Sequence, residues 1–460
     1  MLYRRLARRT DVIEKIEPWI KGKRILLLGY GREGQSTWNV LRRLGTYKVL
    51  DIADLKDPAA LPEDGTVWHT GPDYQKCMDD YDVVFKSPGI VLERPENEYR
   101  CSILSQTEVF FQCFRDQIIG ITGTKGKSTV TTLLYHLLKQ AGMDALLVGN
   151  IGIPALDHME EVKPDTRIVF ELSCHQLEYM TVSPHIGILV NIHEEHLDHY
   201  GTMEKYVEAK HHIFKNQGPD DILICNVQCL PEEGTCPSGL IRAGMDGSGK
   251  ELDVVQEQDG TWVHFRGKSF CIPTDEIKLL GQHNYFDIGV AYGVCSILGM
   301  DDQVFARGLK TYEPLPHRLQ YIGEREGVKY YDDSISTICD TTIQALKTLK
   351  DTDTVLIGGM DRGIDYRELI EYLSDCQVPH IILMEATGKR IYQEIHKYYP
   401  EFKNRARLIL AEHLEDGVKR ARQITRPGTS CVLSPAAASY GIFRNFEERG
   451  ETFSRLVFKK

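Results

Sequence analysis

The chain has 460 residues and a formal net charge of −11. This acidic balance argues against a nucleic-acid scaffold, and no run of about 18 apolar residues is present that could span a membrane. The length predicts two or three domains.

The chain begins with a basic stretch, MLYRRLARRTDVIEKIEPW, which predicts a solvated leading helix. The stretch lacks the apolar core of a signal peptide, so we expect a cytoplasmic protein. The twelve cysteines are scattered without a C-x-x-C pair. That distribution favours reduced thiols over structural zinc.

A first α/β segment, residues 1–114, opens with the buried strand and glycine turn of RILLLGYGREGQST. The strands YKVLDIAD and YDVVFKSPGI follow, and this β-α-β rhythm predicts a parallel sheet. GYGREG has the G-x-G-x-x-G register of a dinucleotide site, and Asp51 lies where such sites keep a ribose-binding carboxylate. The motif is compatible with NAD or with another phosphorylated ligand.

A second segment, residues 115–312, carries the glycine-rich stretch GITGTKGKST. Its glycines at 120, 123 and 126 do not fit the G-x-x-x-x-G-K-[ST] spacing of the common P-loop. A strand precedes them, however, and a periodic helix follows. Backbone N–H groups, the helix N-terminus and Lys127 would then face a phosphate, and the Ser128 hydroxyl could bind Mg²⁺. We therefore predict nucleotide binding here.

Polar residues follow two further strands of this segment. Glu171 ends RIVFE, and His196 follows HIGILVNI. Strand ends of an open parallel sheet converge beside the ligand, so both residues could reach a metal, although solvated side chains would have the same pattern. Lys210 has the spacing of an ordinary surface lysine on a helix.

The stretch from Pro231 to Pro273 alternates like strands and predicts an antiparallel excursion. The prolines of YEPLPHR predict a linker to a third segment, residues 313–460. There a hairpin precedes strands at DTVLIGGM, HIILME and SCVLSPA. The predicted fold class is α/β, with three domains: a Rossmann-like N-terminal domain, a P-loop-type parallel-sheet central ATPase domain and a Rossmann-like C-terminal domain.

Together these motifs resemble the Mur ligases, whose phosphate loop has the form G-T-x-G-K-[ST]. The resemblance extends over all three segments. The C-terminal blocks resemble the D-glutamate-adding member most. The matching stretches are GYGREGQS, KSPGI, GNIG, ELSCHQLE, NIHEEHLDHYGTMEKYVEAK, GQHNYFD, PHRLQ, YDDSIST, GGMDRGIDY and SPAAASYGIFRNFEERGETF.

The resemblance implies an ATP-dependent ligase that adds D-glutamate to UDP-N-acetylmuramoyl-L-alanine through an acyl phosphate in peptidoglycan precursor synthesis. It implies ATP and two Mg²⁺ ions as cofactors, and we expect a monomer. The implied catalytic residues are Lys127, Glu171, His196 and Lys210. The implied metal ligands are Ser128, Glu171, His196 and a carbamylated Lys210.

The remaining implied contacts fall into three groups. Those to ATP are Gly123, Thr124, Lys125, Gly126, Lys127, Ser128, Thr129, His283, Asn284, Arg318 and Asp333. Those to the UDP substrate are Arg32, Glu33, Ser87, Pro88, Gly89, Asn150, Ser173 and Gln176. Those to D-glutamate are Thr337, Arg362, Ser439, Tyr440 and Phe446.

The chain departs from many relatives at three positions. Ile335 and Arg362 stand where they carry lysines, and Asp287 stands where they carry an adenine-contacting Asn. Arg362 can still bind a carboxylate bidentately. The alternatives are a Mur-type ligase for another amino acid and an NAD-dependent oxidoreductase, which would leave the second glycine loop without a role.

Overall fold

The computed structural model describes residues 15–56, 65–151, 153–403 and 407–459. Most of the predicted leading helix lies outside the described residues; residues 15–20 are helical, with Ile16 and Ile20 buried. The chain separates into two compact units. The first runs to Ile277 and includes His283–Tyr312, and the second comprises Lys278–Gln282 and the chain from Glu313 onwards. The division of the first unit at residue 114 stays a prediction.

A five-stranded parallel sheet in the order β3-β2-β1-β4-β5 forms the first part of the first unit. Its central strand β1 is apolar and almost wholly buried, as the RILLL run predicts. The elements are β1 (Arg24–Leu28), α1 (Arg32–Leu44), β2 (Val49–Asp54), β3 (Trp68–Thr70), β4 (Val83–Lys86), β5 (Ser102–Leu104) and α2 (Gln106–Phe114).

A nine-stranded sheet follows, in the order β14-β13-β12-β11-β10-β9-β6-β8-β7. Strand β6 lies between β9 and β8, so the chain reverses its direction of winding at the carboxyl end of β6. The strands are β6 (Ile118–Thr122), β7 (Ala145–Gly149), β8 (Arg167–Glu171), β9 (Ile186–Leu189), β10 (Ile222–Asn226), β11 (Gly239–Met245), β12 (Leu252–Glu257), β13 (Gly260–Phe265) and β14 (Lys268–Ile272). The helices are α3 (Lys127–Gln140), α4 (Cys174–Leu177), α5 (Leu197–Tyr200), α6 (Met203–His211), α7 (Gln282–Ile297) and α8 (Asp302–Thr311).

The predicted antiparallel excursion is correct only in part. Strands β12, β13 and β14 pair antiparallel, but β11 pairs parallel with both β10 and β12. A tight loop at Asp246–Gly249 returns the chain to pair again in parallel, held by Asp253, which accepts from the N–H groups of Gly247 and Gly249. Alternation of apolar residues shows that a strand has one buried face, and it does not give the strand's direction.

The second unit contains a six-stranded sheet in the order β15-β16-β20-β17-β18-β19. Strands β15 and β16 form the predicted hairpin, and the other strands are parallel. The elements are β15 (Gln320–Arg325), β16 (Val328–Asp332), α9 (Cys339–Thr348), β17 (Thr352–Gly358), α10 (Arg367–Asp375), β18 (His380–Met384), α11 (Glu385–Tyr398), β19 (Leu408–Ala411), α12 (Leu414–Ile424), β20 (Ser430–Leu433) and α13 (Phe446–Phe458).

Helices cover both faces of the sheets and bury separate apolar cores in the two units. Leu134 of α3 and Leu356 of β17 are fully buried examples. The parallel sheets flanked by helices confirm the predicted α/β class. Within the described residues, we find no helix with the length and apolar character that a membrane span requires.

Candidate functional site

The phosphate loop, residues 123–128, connects β6 to α3. Gly123 has φ of 158° and Gly126 has φ of 81°, conformations that side chains rarely adopt. A Cβ on Gly123 would also lie 3.1 Å from Cβ of Val190. The glycines therefore let the chain turn tightly, so that α3 begins at Lys127 with its N-terminal N–H groups at the loop. Such a helix start favours an anion.

Two lysine side chains meet at one backbone oxygen of this loop. Lys127 Nζ donates to the carbonyls of Gly123 and Thr124 at 2.8 and 3.0 Å. Lys210 Nζ, from α6, donates to the same Gly123 oxygen at 2.9 Å. Lys210 is therefore not the surface residue that its helical spacing indicates, because it is only 1% exposed.

Burial changes the protonation of both amines. Desolvation lowers the pKa of Lys127. Desolvation, followed by repulsion from Lys127, lowers the pKa of Lys210 to about 7. A neutral amine is a nucleophile, so Lys210 can be chemically reactive near neutral pH.

Asn191 holds the phosphate loop from the end of β9. Its Oδ1 accepts from the N–H groups of Thr124 and Lys125 at 3.0 and 2.8 Å, and its Nδ2 donates to the Lys125 carbonyl at 3.1 Å. The Tyr206 hydroxyl lies 3.0 Å from Thr124 Oγ1. Sequence reasoning missed Asn191, although its place directly after a buried strand at the switch point was an available signal.

Glu171 lies beside the loop because β8 pairs with β6 in a register that places Glu171 opposite Ile121. Its Oε1 accepts from Asn150 Nδ2 at 3.0 Å, whereas its buried Oε2 has no hydrogen-bond partner among the described residues. A buried carboxylate oxygen without a partner is costly unless a cation binds it. Oxygen donors of this kind suit Mg²⁺, so the Glu171 carboxylate fits such an ion, and the Ser128 hydroxyl at the start of α3 offers a further oxygen.

His196 precedes α5 and has φ of 58°, an uncommon conformation for a non-glycine residue. Its Nε2 lies 3.7 Å from Glu195 Oε2, and Glu195 in turn accepts from Lys125 Nζ at 2.9 Å. The strained backbone thus keeps the His196 imidazole beside the charged residues that flank the phosphate loop.

The first glycine turn, residues 29–34, is linked to the second sheet by two side chains. Arg32 Nη2 donates to the Asn150 carbonyl at 3.1 Å, and Gln176 Nε2 donates to Glu33 Oε1 at 2.8 Å. Because Asn150 also contacts Glu171, a chain of contacts runs from the first glycine turn to the residue beside the phosphate loop. The structure therefore brings together these four predicted substrate residues.

The other predicted substrate residues lie close to these contacts. Ser87 Oγ donates to the Gly29 carbonyl at 3.0 Å, and Pro88 and Gly89 follow it in the loop after β4. Ser173 caps α4 through a capping box with Gln176. The loops after β1 and β4 flank the topological switch point of the five-stranded sheet, and open α/β sheets bind ligands at such points.

Asp51 does not have the role that a dinucleotide site requires. It is 6% exposed, its Oδ1 accepts from the Val67 N–H at 2.9 Å and its Oδ2 accepts from the Tyr81 hydroxyl at 2.7 Å. Both carboxylate oxygens are therefore engaged within the domain. This removes the ribose partner on which the NAD interpretation of GYGREG depended.

The predicted adenine residues His283 and Asn284 lie in the first turn of α7. One turn later the buried Asp287 lies against the phosphate loop, since its Oδ1 would be 3.0 Å from a Cβ on Gly126. Together with its φ of 81°, this close approach favours glycine at residue 126. The second turn of α7 and the start of α3 are thus neighbours.

The remaining predicted residues belong to the second unit. Asp333, after β16, accepts from the Leu319 N–H at 3.1 Å and from the Ser434 hydroxyl at 2.7 Å, and burial raises its pKa to about 6. Arg318 lies just before β15. Arg362 Nη2 donates to the Thr337 carbonyl at 3.1 Å, so two predicted D-glutamate residues are in contact.

The other three predicted D-glutamate residues lie between β20 and α13. Ser439 is buried, Tyr440 is exposed and Phe446 begins α13. Sequence reasoning missed Arg449 of α13, which is 1% exposed and donates to the Ser334 and Ala437 carbonyls at 2.8 and 3.0 Å. Its helical spacing gave no sign of this buried position.

The fold and the loop define an α/β protein in which a glycine loop joins a parallel strand to a helix start, an arrangement that favours a phosphate anion. Residues 121–295 match the Mur ligase middle domain family. The UDP-N-acetylmuramoylalanine–D-glutamate ligases of Alkaliphilus metalliredigens and Clostridium botulinum strain 657 are 30% and 31% identical to the chain, over 95% and 96% of it and 98% of each relative.

Solved structures agree at the level of the fold. The MurF ligase of Thermotoga maritima in complex with ADP has a TM-score of 0.61 at 16% identity and covers 96% of each chain. The UDP-N-acetylmuramate–alanine ligase MurC of the same organism has a TM-score of 0.58 at 18% identity over 94% of this chain and 98% of its own. The chain belongs to the Mur ligase family, the ATP-dependent ligases of peptidoglycan synthesis.

Proposed function

We propose that the protein joins D-glutamate to UDP-N-acetylmuramoyl-L-alanine at the expense of ATP. The observation that carries the proposal is the phosphate loop with Lys127 at its helix start and Glu171 on the adjacent strand. The choice of amino acid is supported by the names of relatives that match nearly the whole chain. We also propose that the protein is a monomer and that it carries out this reaction in the cytoplasm.

The chemistry requires activation of a carboxylate, because an oxide dianion is too poor a leaving group for an amine to displace. A carboxylate oxygen of the alanyl group attacks the γ-phosphorus of ATP, and the bond from that phosphorus to the bridging oxygen of ADP breaks. The amine of D-glutamate then attacks the acyl carbon, inorganic phosphate leaves and the nitrogen loses a proton. Lys127 and the N–H groups of residues 123–128 stabilise the charge on the transferred phosphoryl group.

Glu171 and Ser128 would hold one Mg²⁺, and His196 with modified Lys210 would hold a second. When bound, Mg²⁺ offsets the negative charge that gathers as the carboxylate approaches the phosphoryl group. The orphaned Oε2 of Glu171 supports the first assignment. Asn150 orients the same carboxylate through its hydrogen bond to Oε1.

Lys210 needs a covalent change before it can bind a cation. The neutral amine attacks the carbon of CO₂ and loses a proton, which leaves a carbamate whose single negative charge is shared by two oxygens. The lowered pKa of Lys210 supports this step, because the nitrogen lone pair is available near neutral pH.

The substrate side would use the residues that connect the two sheets of the first unit. Arg32 and the loop after β4 (Ser87, Pro88, Gly89) would hold the UDP group, with Glu33 positioned by Gln176. Asn150, Ser173 and Gln176 would face the muramoyl-alanine part. In the second unit, Arg362 and Thr337, together with Ser439, Tyr440 and Phe446, would bind D-glutamate.

ATP binding would extend beyond the phosphate loop. His283 and Asn284, in the first turn of α7, would face the adenine, and Thr129 continues the loop into α3. In the second unit, Arg318 would face the phosphates and Asp333 the ribose. The lost lysine at Ile335 leaves Arg362 as the proposed cation for a D-glutamate carboxylate.

A single assay tests the proposal. Phosphate release from ATP is measured with UDP-N-acetylmuramoyl-L-alanine and each of D-glutamate, L-alanine and meso-diaminopimelate, with Lys127→Ala as the control. We expect stimulation by D-glutamate alone and loss of at least about 100-fold in kcat with Lys127→Ala. Stimulation by another amino acid, or an undiminished rate in the variant, would refute it; oxidation of NADH by the protein would instead support an oxidoreductase.

A further inference from the structure

Two short helices at the carboxyl edge of the nine-stranded sheet present histidines to one another. His175 lies in α4, Glu178 caps the same helix one turn later, and His199 lies in α5. One ligand atom from each of these residues lies within 4.8 Å of the other two. His199 Nε2 is 3.0 Å from Glu178 Oε2, and the two imidazole centroids are 4.4 Å apart.

We propose that this His–Glu–His triad (His175, Glu178, His199) binds a divalent transition-metal ion of the zinc class. Two imidazoles and a carboxylate are a common donor set for zinc with an open fourth position. With metal–ligand bonds of about 2.0–2.1 Å in a tetrahedron, donor atoms lie roughly 3.3 Å apart. The Glu178–His199 pair, at 3.0 Å, is close to that spacing, and a ligand atom of His175 lies within 4.8 Å of both.

The residues around the triad already orient it. The Tyr200 hydroxyl lies 3.1 Å from His175 Nδ1, which leaves Nε2 of that ring for a metal. A hydrogen bond to the second ring nitrogen is what fixes most metal-binding histidines. The capping box of Ser173 and Gln176 holds the start of α4, so the His175-x-x-Glu178 spacing keeps both donors on one side of the turn.

The proposed zinc site is distinct from the proposed Mg²⁺ sites. The first proposed Mg²⁺ site relies on the oxygens of Glu171 and Ser128, and the second on His196 and modified Lys210, so neither uses His175, Glu178 or His199. Two imidazoles with one carboxylate favour a zinc-class ion over Mg²⁺, which prefers oxygen donors. A second grouping, Cys174, His175 and His196, shares His175 with the triad. Only the triad contains Glu178, so a loss of metal binding in a Glu178 variant identifies the triad as the site. The zinc proposal does not depend on the ligase reaction.

Equilibrium dialysis of the full chain against Zn²⁺ in excess Mg²⁺ tests the site, and Co²⁺ gives an optical readout of tetrahedral coordination. We expect one tightly bound Zn²⁺ in the wild-type protein. His199→Gln and Glu178→Gln should each weaken Zn²⁺ binding by at least about 100-fold, since loss of even an outer partner costs up to that factor. The Co²⁺ spectrum should fade in the same two variants.

His158→Gln is the matched control. His158 and Glu161 form a similar pair three residues apart at 2.8 Å but have no third ligand among the described residues, so we expect Zn²⁺ binding to stay unchanged. Unchanged binding in His199→Gln or Glu178→Gln, whichever folds as judged by its circular dichroism spectrum, overturns the proposal. Loss of Zn²⁺ in Cys174→Ser or Glu171→Gln with retention in Glu178→Gln overturns it as well.

Discussion

At the scale of single residues, the carbonyl of Gly123 is the meeting point of two amines. The two amines belong to residues that are far from each other in sequence, Lys127 at the start of α3 and Lys210 near the end of α6. The protein holds them in low dielectric surroundings, where the cost of a second positive charge is high. Protonation of Lys210 therefore bears on both folding and catalysis.

The lowered pKa of Lys210 predicts that the stability of the folded protein depends on pH. Its pKa in the folded protein is about 7, against 10.5 as the ordinary value. Between these values the unfolded chain binds a proton that the folded chain does not, so the free energy of unfolding rises with pH in that window. We expect Lys210→Met to remove this rise, as measured by urea denaturation at several pH values. Lys205→Arg, an exposed change on the same helix, should leave it intact.

The lowered pKa of Lys210 also predicts that its reaction with carbon dioxide to form a carbamate depends on pH. Below about pH 7 the protonated amine cannot attack CO₂. We expect ¹³C-labelled bicarbonate to give a carbamate NMR signal in the wild-type protein one unit above that pH, with a much weaker signal one unit below it. The signal should be absent in Lys210→Arg and present in Lys205→Arg. Equal signals in the two lysine variants would contradict the assignment.

At the scale of elements, the phosphate loop depends on a strand that is 66 residues away in sequence. Asn191→Ala removes the side-chain acceptor for two loop N–H groups and one donor to a loop carbonyl. We expect KM for ATP to rise roughly tenfold, equivalent to one or two buried hydrogen bonds. Steady-state kinetics measures this.

Asn226→Ala is the control for that prediction. Asn226 donates to the Val190 carbonyl at 3.0 Å, next to Asn191 in sequence, but not to the loop. Its replacement should lower stability while KM for ATP stays within about twofold. An equal rise in KM for both variants would mean that the loop responds to general loosening of β9.

The first glycine turn gives a contrast between two of its glycines. A Cβ on Gly34 would lie 2.1 Å from the Gly29 carbonyl oxygen, whereas a Cβ on Gly31 would have no heavy atom within 4 Å. We expect Gly34→Ala to lower the free energy of unfolding by about 3 kcal/mol, since backbone must move. Gly31→Ala should change it by less than about 0.5 kcal/mol. Chemical denaturation that showed equal losses would contradict this packing.

Local patterns were enough to predict much of this element-level structure. The strand, glycine loop and helix around Lys127 follow from residues adjacent in sequence, as do the β15–β16 hairpin and the strand at Glu171. The parallel direction of β11 and the cradle formed by Asn191 could not be predicted, because both depend on partners far along the chain. Lys210 and Arg449 have helical spacings that are equally compatible with solvent, and only the packing of neighbouring elements buries them.

At the scale of the whole molecule, the two units have separate apolar cores. We expect calorimetry to show two unfolding transitions, as is common when domains carry their own cores. Leu134→Ala should lower the first-unit transition and Leu356→Ala the second-unit transition, each by about 2–5 kcal/mol of unfolding free energy. ATP should raise the transition that Leu134→Ala lowers more than the other, because most of the proposed ATP contacts lie in the first unit. A single transition shifted by both variants would show that the units unfold together.

The hydrogen bond between Tyr81 and Asp51 has a consequence for redesign. To redesign this domain to bind a nicotinamide dinucleotide, the glycine turn could be kept. The Asp51 carboxylate, however, already accepts hydrogen bonds at both oxygens. Replacing Tyr81 by Phe would release one oxygen and leave the other tied to the main chain at Val67. Use of Asp51 as a ribose partner would therefore require a rebuilt loop at Val67 as well as the substitution of Tyr81.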